Sequence, residues 1–88
     1  MELEQLRMFL AVAEHESFSA AAKALFVSHS TTSRAVSALE RELETPLMIR
    51  RGRTVALTPA GEILRDEAQR ILALVEETKE KVKKEKET

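Results

Sequence analysis

Apolar positions recur at helical spacing in three stretches of this chain, with an alanine-rich segment between the first and the second and short apolar runs between the second and the third. From Leu3 to about Glu14, Leu6, Phe9, Leu10 and Ala13 fall at i, i+3, i+4 and i+7, and Met8 and Val12 broaden the stripe. That spacing predicts a packing helix. Glu2 and Glu4 place negative charge where the dipole of such a helix favours it. The segment HESFS breaks the pattern. Either Ser17 or Ser19 can cap a second, alanine-rich helix over Ser19 to about Leu25, with Phe18 before it as a core anchor. Ala21 and Ala22 are small enough for another helix to approach closely. Phe26-Val27-Ser28 is then a short turn, and helix, short turn, helix is helix-turn-helix geometry.

The stretch Val27–Glu44, VSHSTTSRAVSALERELE, reads as the third helix. Ser28 is a good N-cap. Thr32, Val36, Leu39 and Leu43 follow one buried stripe, and His29, Ser30, Ser33, Arg34 and Ser37 fall on the other side. This outer face holds small hydroxyls and one arginine, with no acid before Glu40. An ordinary solvated face mixes long charges of both signs. A face of short donors plus arginine near a helix N-terminus suits a DNA major groove. The bland alternative, a capping region followed by plain surface, uses the same residue types.

Thr45-Pro46 ends the third helix. Leu47-Met48-Ile49 and Val55-Ala56-Leu57 are short apolar runs about the charged turn Arg50-Arg51-Gly52-Arg53-Thr54, and they predict a β-hairpin. An arginine-tipped hairpin directly after a helix-turn-helix is a wing; Arg50, nearest the strand, is expected to pair with Glu40. Thr58 then caps a long helix with Pro59 in its first position. That helix spans roughly 40 Å at 1.5 Å per residue. Leu64, Ala68, Ile71, Val75, Thr78 and Val82 repeat at 4, 3, 4, 3, 4, a heptad seam. Leu72 and Leu74 enlarge its apolar surface beyond what a three-helix body covers, which predicts a second copy as partner. The tail KEKVKKEKET alternates in sign and reads as a frayed helix end or a linker.

Composition narrows the function. The chain has 88 residues, no cysteine and a net charge of −1. No disulfide scaffold or thiolate metal site is possible. His15 and His29 have no ligand spacing around them, so neither a metal site nor a cofactor is expected. No apolar run is long enough for a membrane, and the acidic start MELEQLRMF is no signal peptide; a soluble, cytoplasmic protein is expected. The total charge argues against nucleic acid, but its placement does not. Residues 28–58 hold five arginines against three glutamates, a net of +2, whereas residues 1–27 and 59–88 carry −2 and −1. Local placement decides what a surface attracts.

The segments LRMFLAVAEHESFSAAAKAL, VS…SR…LERELE and RRGRTVALTPAG, at the distances found here, resemble the N-terminal region of a LysR-type transcriptional regulator over nearly the whole chain. The resemblance implies a mainly α fold: a winged helix-turn-helix of three helices plus a short β-hairpin over residues 1–58, then a linker and dimerisation helix over 59–88. The family's effector-binding domain is absent from this chain. By this resemblance Ser33 and Arg34 belong to the recognition helix, Arg53 is the wing arginine that reaches the minor groove, and Thr58, Pro59 and Gly61 begin the linker helix. The family commonly has Gln-Pro at His29-Ser30, an aliphatic residue at Thr32, an aromatic one at Met48 and glycine at Glu44. A core Thr32 is expected to bond back to the Ser28 carbonyl.

The chain therefore reads as a sequence-specific module that binds double-stranded operator DNA as a homodimer. Arg34 and His29 supply donors, guanine being the expected partner of Arg34. Ser28, Ser30, Thr31 and Ser37 divide between phosphates and base edges, and Ser33 joins them through the resemblance. Arg51 and Arg53 reach backbone or minor groove. The expected dimer interface is Leu64, Ala68, Ile71, Leu72 and Val75. A helical coiled-coil interaction module without DNA function explains the heptads but not the placement of RRGR. An enzyme needs convergent polar groups in a pocket, and no nucleophile–base pair or phosphate loop is present. A winged-helix regulator of another family, sensing its signal without a separate domain, is the third alternative.

Overall fold

A computed structural model describes residues 1–86; positions 87–88 of the expected charged tail lie outside the described residues. The order is α1 (Leu3–His15), α2 (Phe18–Leu25), α3 (His29–Leu43), β1 (Met48–Arg51), β2 (Thr54–Leu57) and α4 (Pro59–Glu85). Helices α1, α2 and α3 enclose a core of Leu6, Phe9, Val12, Phe18, Ala21, Val36 and Leu39, closed from the other side by Leu47, Met48 and Val55 of the hairpin region. Ser17, not Ser19, caps α2 by accepting from Ala20 N–H at 3.1 Å. Phe18 is therefore the first helical residue and not the residue before the cap, and it is buried as the expected anchor.

The hairpin is longer than its apolar runs. Strand pairing continues through Arg50↔Val55 and Arg51↔Thr54, so the turn is only Gly52-Arg53. Gly52 has φ 61°, the positive angle that a two-residue hairpin turn with glycine first requires. Four hydrogen bonds of backbone N–H groups close the base of the hairpin and fix it to the body. Val55 N–H donates to Glu16 O at 3.0 Å and Thr58 N–H to Leu47 O at 3.0 Å. Glu40 Oε2 accepts from Leu47 N–H at 2.8 Å and from Met48 N–H at 3.4 Å. The expected Arg50–Glu40 pair does not form, because that carboxylate is occupied by backbone donors.

Helix α4 starts against this corner. Thr58 Oγ1 donates to Pro46 O at 2.8 Å and accepts from Gly61 N–H at 3.0 Å. Gly61 passes so close to Leu47 that an added methyl would run into the Leu47 carbonyl oxygen. Leu64 and Ala68 then enter the common core, and Ile71 packs on it half-buried. Leu64 and Ala68 of the heptad seam are thus covered within their own chain, and the core includes residues on both sides of position 58/59. Beyond Ile71 the helix leaves the body. Exposed pairs Glu67–Arg70, Glu76–Lys79, Glu77–Lys81 and Glu80–Lys83 run along it at 3.2–3.7 Å. Each contributes a few tenths of a kcal/mol, and the segment expected as a frayed end or linker is helical to Glu85. No helix among the described residues is long and apolar enough to cross a membrane.

Candidate nucleic-acid interface

Helix α3 begins at Ser28, whose Oγ accepts from Thr31 N–H at 3.1 Å and lies 2.7 Å from Thr31 Oγ1 and 3.1 Å from Ser30 Oγ. The hydroxyls of Ser28, Ser30 and Thr31 are thus one linked cluster at the helix tip, and Ser28 serves first as a cap. At 3.6 residues per turn Ser30, Ser33, Arg34 and Ser37 share the outer side of α3. Thr32, Ala35, Val36 and Leu39 are buried on the inner side. Arg34 and His29 are exposed. Thr32 is fully buried and its hydroxyl is satisfied, but through the carbonyl of His29 at 2.8 Å rather than that of Ser28.

A groove of about 520 Å³ continues this face toward the hairpin. His29 from α3, Ser17 and Ser19 at the start of α2, and Arg50 and Arg53 from the hairpin line it, and no carboxylate does. The hairpin's alternation explains which arginines take part. Met48 and Arg50 lie on the same face of β1, turned to the body, while Ile49 and Arg51 lie on the other. Arg51 accordingly points away from the groove, and Arg53 reaches it from the turn. Arg50 lies over the Phe18 ring, its Cζ 4.2 Å from the centroid, and donates from Nη2 to Ser33 Oγ at 3.3 Å. His29 meets the same ring with centroids 5.8 Å apart. Sequence reasoning had given Arg50 a structural role and read Ser17 and Ser19 only as caps. Period-two alternation from the buried Met48 was the signal that places Arg50 inward.

Residues 3–62 match the bacterial regulatory helix-turn-helix protein, lysR family, which is well over half of the chain. The chain belongs to the lysR family. Curated relatives of this lysR-family chain include the HTH-type transcriptional regulator BudR of Klebsiella aerogenes, 46% identical over 83 residues that cover 94% of this chain and 58% of that protein. The HTH-type transcriptional regulator IlvY of Escherichia coli (strain K12) is 49% identical over 72 residues, covering 82% of this chain and 24% of IlvY. The chain thus spans 58% of the length of the one relative and 24% of the other. Among solved structures, the CbnR DBD–DNA complex matches with a TM-score of 0.92 at 40% identity, covering 94% of this chain and 95% of that one. The three helices, two-stranded hairpin and long following helix are therefore the arrangement of the solved lysR-family DNA-binding domains.

Proposed function

We propose that this chain is the sequence-specific, double-stranded-DNA-binding region of a LysR-type transcriptional regulator, not an enzyme, and that it acts in the cytoplasm as a homodimer joined through α4. One observation carries the reading. The hydroxyl-and-arginine face of α3 runs without an intervening acid into a groove walled by His29, Arg50 and Arg53. A duplex needs short donors for its base edges and cations for its phosphates, side by side. In this reading the front of α3 enters the major groove, with Arg34 and Ser33 reading bases and Ser28, Ser30, Thr31 and Ser37 shared between phosphates and bases. Arg53 approaches the backbone or minor groove from the turn, and Arg51, on the hairpin's far side, adds a weaker, longer-range attraction to the backbone. The CbnR DBD–DNA complex supports the same partner for this chain, and the relatives' names as transcriptional regulators support a regulatory, non-enzymatic role.

The test is selection of bound duplexes from a random pool, followed by titration of the selected site at several salt concentrations. The reading expects a palindromic consensus and an affinity that falls steeply and linearly in log–log form with salt. Recovery of no consensus, with binding no tighter than to random duplex, would remove sequence-specific recognition.

A further inference from the structure

The contact that joins hairpin to recognition helix has a chemical direction. Arg50 extends from the inward face of β1, places its Cζ over the Phe18 ring 4.2 Å from the centroid, and reaches Ser33 Oγ from Nη2 at 3.3 Å. Stacking on an aromatic face leaves the guanidinium's in-plane donors free and holds them in one orientation. Arginine has donors and no acceptor. Ser33 must therefore accept from Arg50, which occupies one of the two lone pairs of Oγ and leaves the proton and one lone pair, so its acceptor capacity is halved and its donor capacity is intact. Among the described residues no second hydrogen bond engages that hydroxyl. A free serine both donates and accepts; this one is biased toward donation.

We propose that Arg50 is a positioning residue for recognition: held against Phe18, it biases the Ser33 hydroxyl toward donation, so that Ser33 favours a hydrogen-bond acceptor on the duplex. The inference rests on the DNA-binding reading and deepens it. The acceptors in the major groove are guanine N7 and O6, adenine N7 and thymine O4; cytosine offers only its amino donor there. A phosphate oxygen offers the same acceptor chemistry. Arg50 thereby acts through Ser33 and differs from a cation placed to meet a phosphate directly.

A double-mutant cycle on the protein's selected duplex tests this, with Ser33→Ala, Arg50→Ala, the double variant and Arg50→Lys, each checked for its fold by circular dichroism. Arg50 is exposed, so its replacement leaves the core intact. Ser33→Ala should weaken binding about 5- to 10-fold beside Arg50 and less than about 2-fold beside Arg50→Ala, the signature of coupled sites. Arg50→Lys keeps the charge but lacks the planar fork, and should leave Ser33 uncoupled. If Ser33 meets a base edge, Ser33→Ala and Arg50→Ala lose the same consensus position when each is carried through selection. If it meets a phosphate, both weaken every sequence equally. The proposal is overturned by equal factors for Ser33→Ala in both backgrounds, or by Arg50→Lys restoring wild-type affinity and coupling. Those failures leave the consensus in place, whereas failure of the DNA-binding reading removes the consensus itself.

Discussion

Arg34 concentrates the recognition argument in one side chain. It stands on the outer face of α3 beside Ser33 and Ser37 and is exposed, so its donors are not consumed by the fold. A bidentate arginine–guanine contact contributes about 1–3 kcal/mol of discrimination. Arg34→Ala should lower affinity for the selected duplex by that amount and relax preference at one base pair; fluorescence anisotropy on the consensus and its single-base variants measures both. Glu44 makes a different point. It ends α3 with φ 53° and ψ 38°, a left-handed conformation that is costly for a residue with a Cβ. Its carboxylate also sits at the negative end of the helix dipole. Glu44→Gly should therefore stabilise the fold by roughly 0.5–1 kcal/mol, seen as a higher midpoint in thermal unfolding and no change in DNA affinity. The family's usual glycine made this position legible in the sequence. The partner of Arg50 was not legible, because spacing cannot say whether a carboxylate such as Glu40 will take a guanidinium or two backbone N–H groups. The acceptor of the Thr32 hydroxyl was placed one residue off for a similar reason: bonds to the third and the fourth preceding carbonyl are both open to a helical threonine.

At the scale of elements, periodicity located α1, α3 and α4, since each buries one stripe against a shared core, and a serine cap with an alanine-rich run located α2. What it placed less well were the ends. Helix α2 begins at Phe18 because Ser17 wins the cap, and both serines carry the same signal. The hairpin was recognised from two apolar runs, but its strands extend into the arginines because backbone pairing does not depend on apolar side chains. That extension shapes the candidate site, since it turns Arg50 inward, Arg51 outward, and leaves Arg53 alone at the turn. The wing therefore should act chiefly through Arg53. Arg53→Ala is expected to weaken binding and to reduce the slope of log affinity against log salt by about one if a single phosphate contact is lost. If Arg53 instead enters a narrow minor groove, the loss grows when the flanks of the site are A·T-rich. Arg51→Ala, on the hairpin's far face, should change the slope less. Equal slope changes for the two variants, measured by anisotropy between low and moderate salt, would show that the hairpin meets the duplex in another orientation.

For the whole molecule the decisive surface is α4. A heptad pattern records that positions are buried, not by what. Leu64 and Ala68 are covered by α1 and the hairpin region of the same chain, and Ile71 is half-covered, so the first part of the expected seam serves the monomer. Left over are Ile63, Leu74 and Val82, which are 68%, 58% and 66% exposed, beside the half-buried Leu72 and Val75. Apolar side chains spaced along a helix that outreaches its own body suit a two-fold mate, which would set two copies of α3 about 34 Å or a multiple apart on one face of a duplex. The two sets of residues make opposite predictions. Ala68→Asp places an unpaired charge in the monomer's core, a change of the several-kcal/mol class, and should unfold the chain. Leu74→Asp places its charge in water in the monomer and between two helices in the dimer. It should leave helicity and the unfolding midpoint measured at low concentration nearly unchanged, yet give monomers in sedimentation equilibrium at tens of micromolar. Those monomers should bind a single half-site with little loss and a full palindrome far more weakly, because the second half-site is no longer reached at the high effective concentration that linkage provides. A Leu74→Asp protein that still sediments as a dimer would move the interface off the free face of α4.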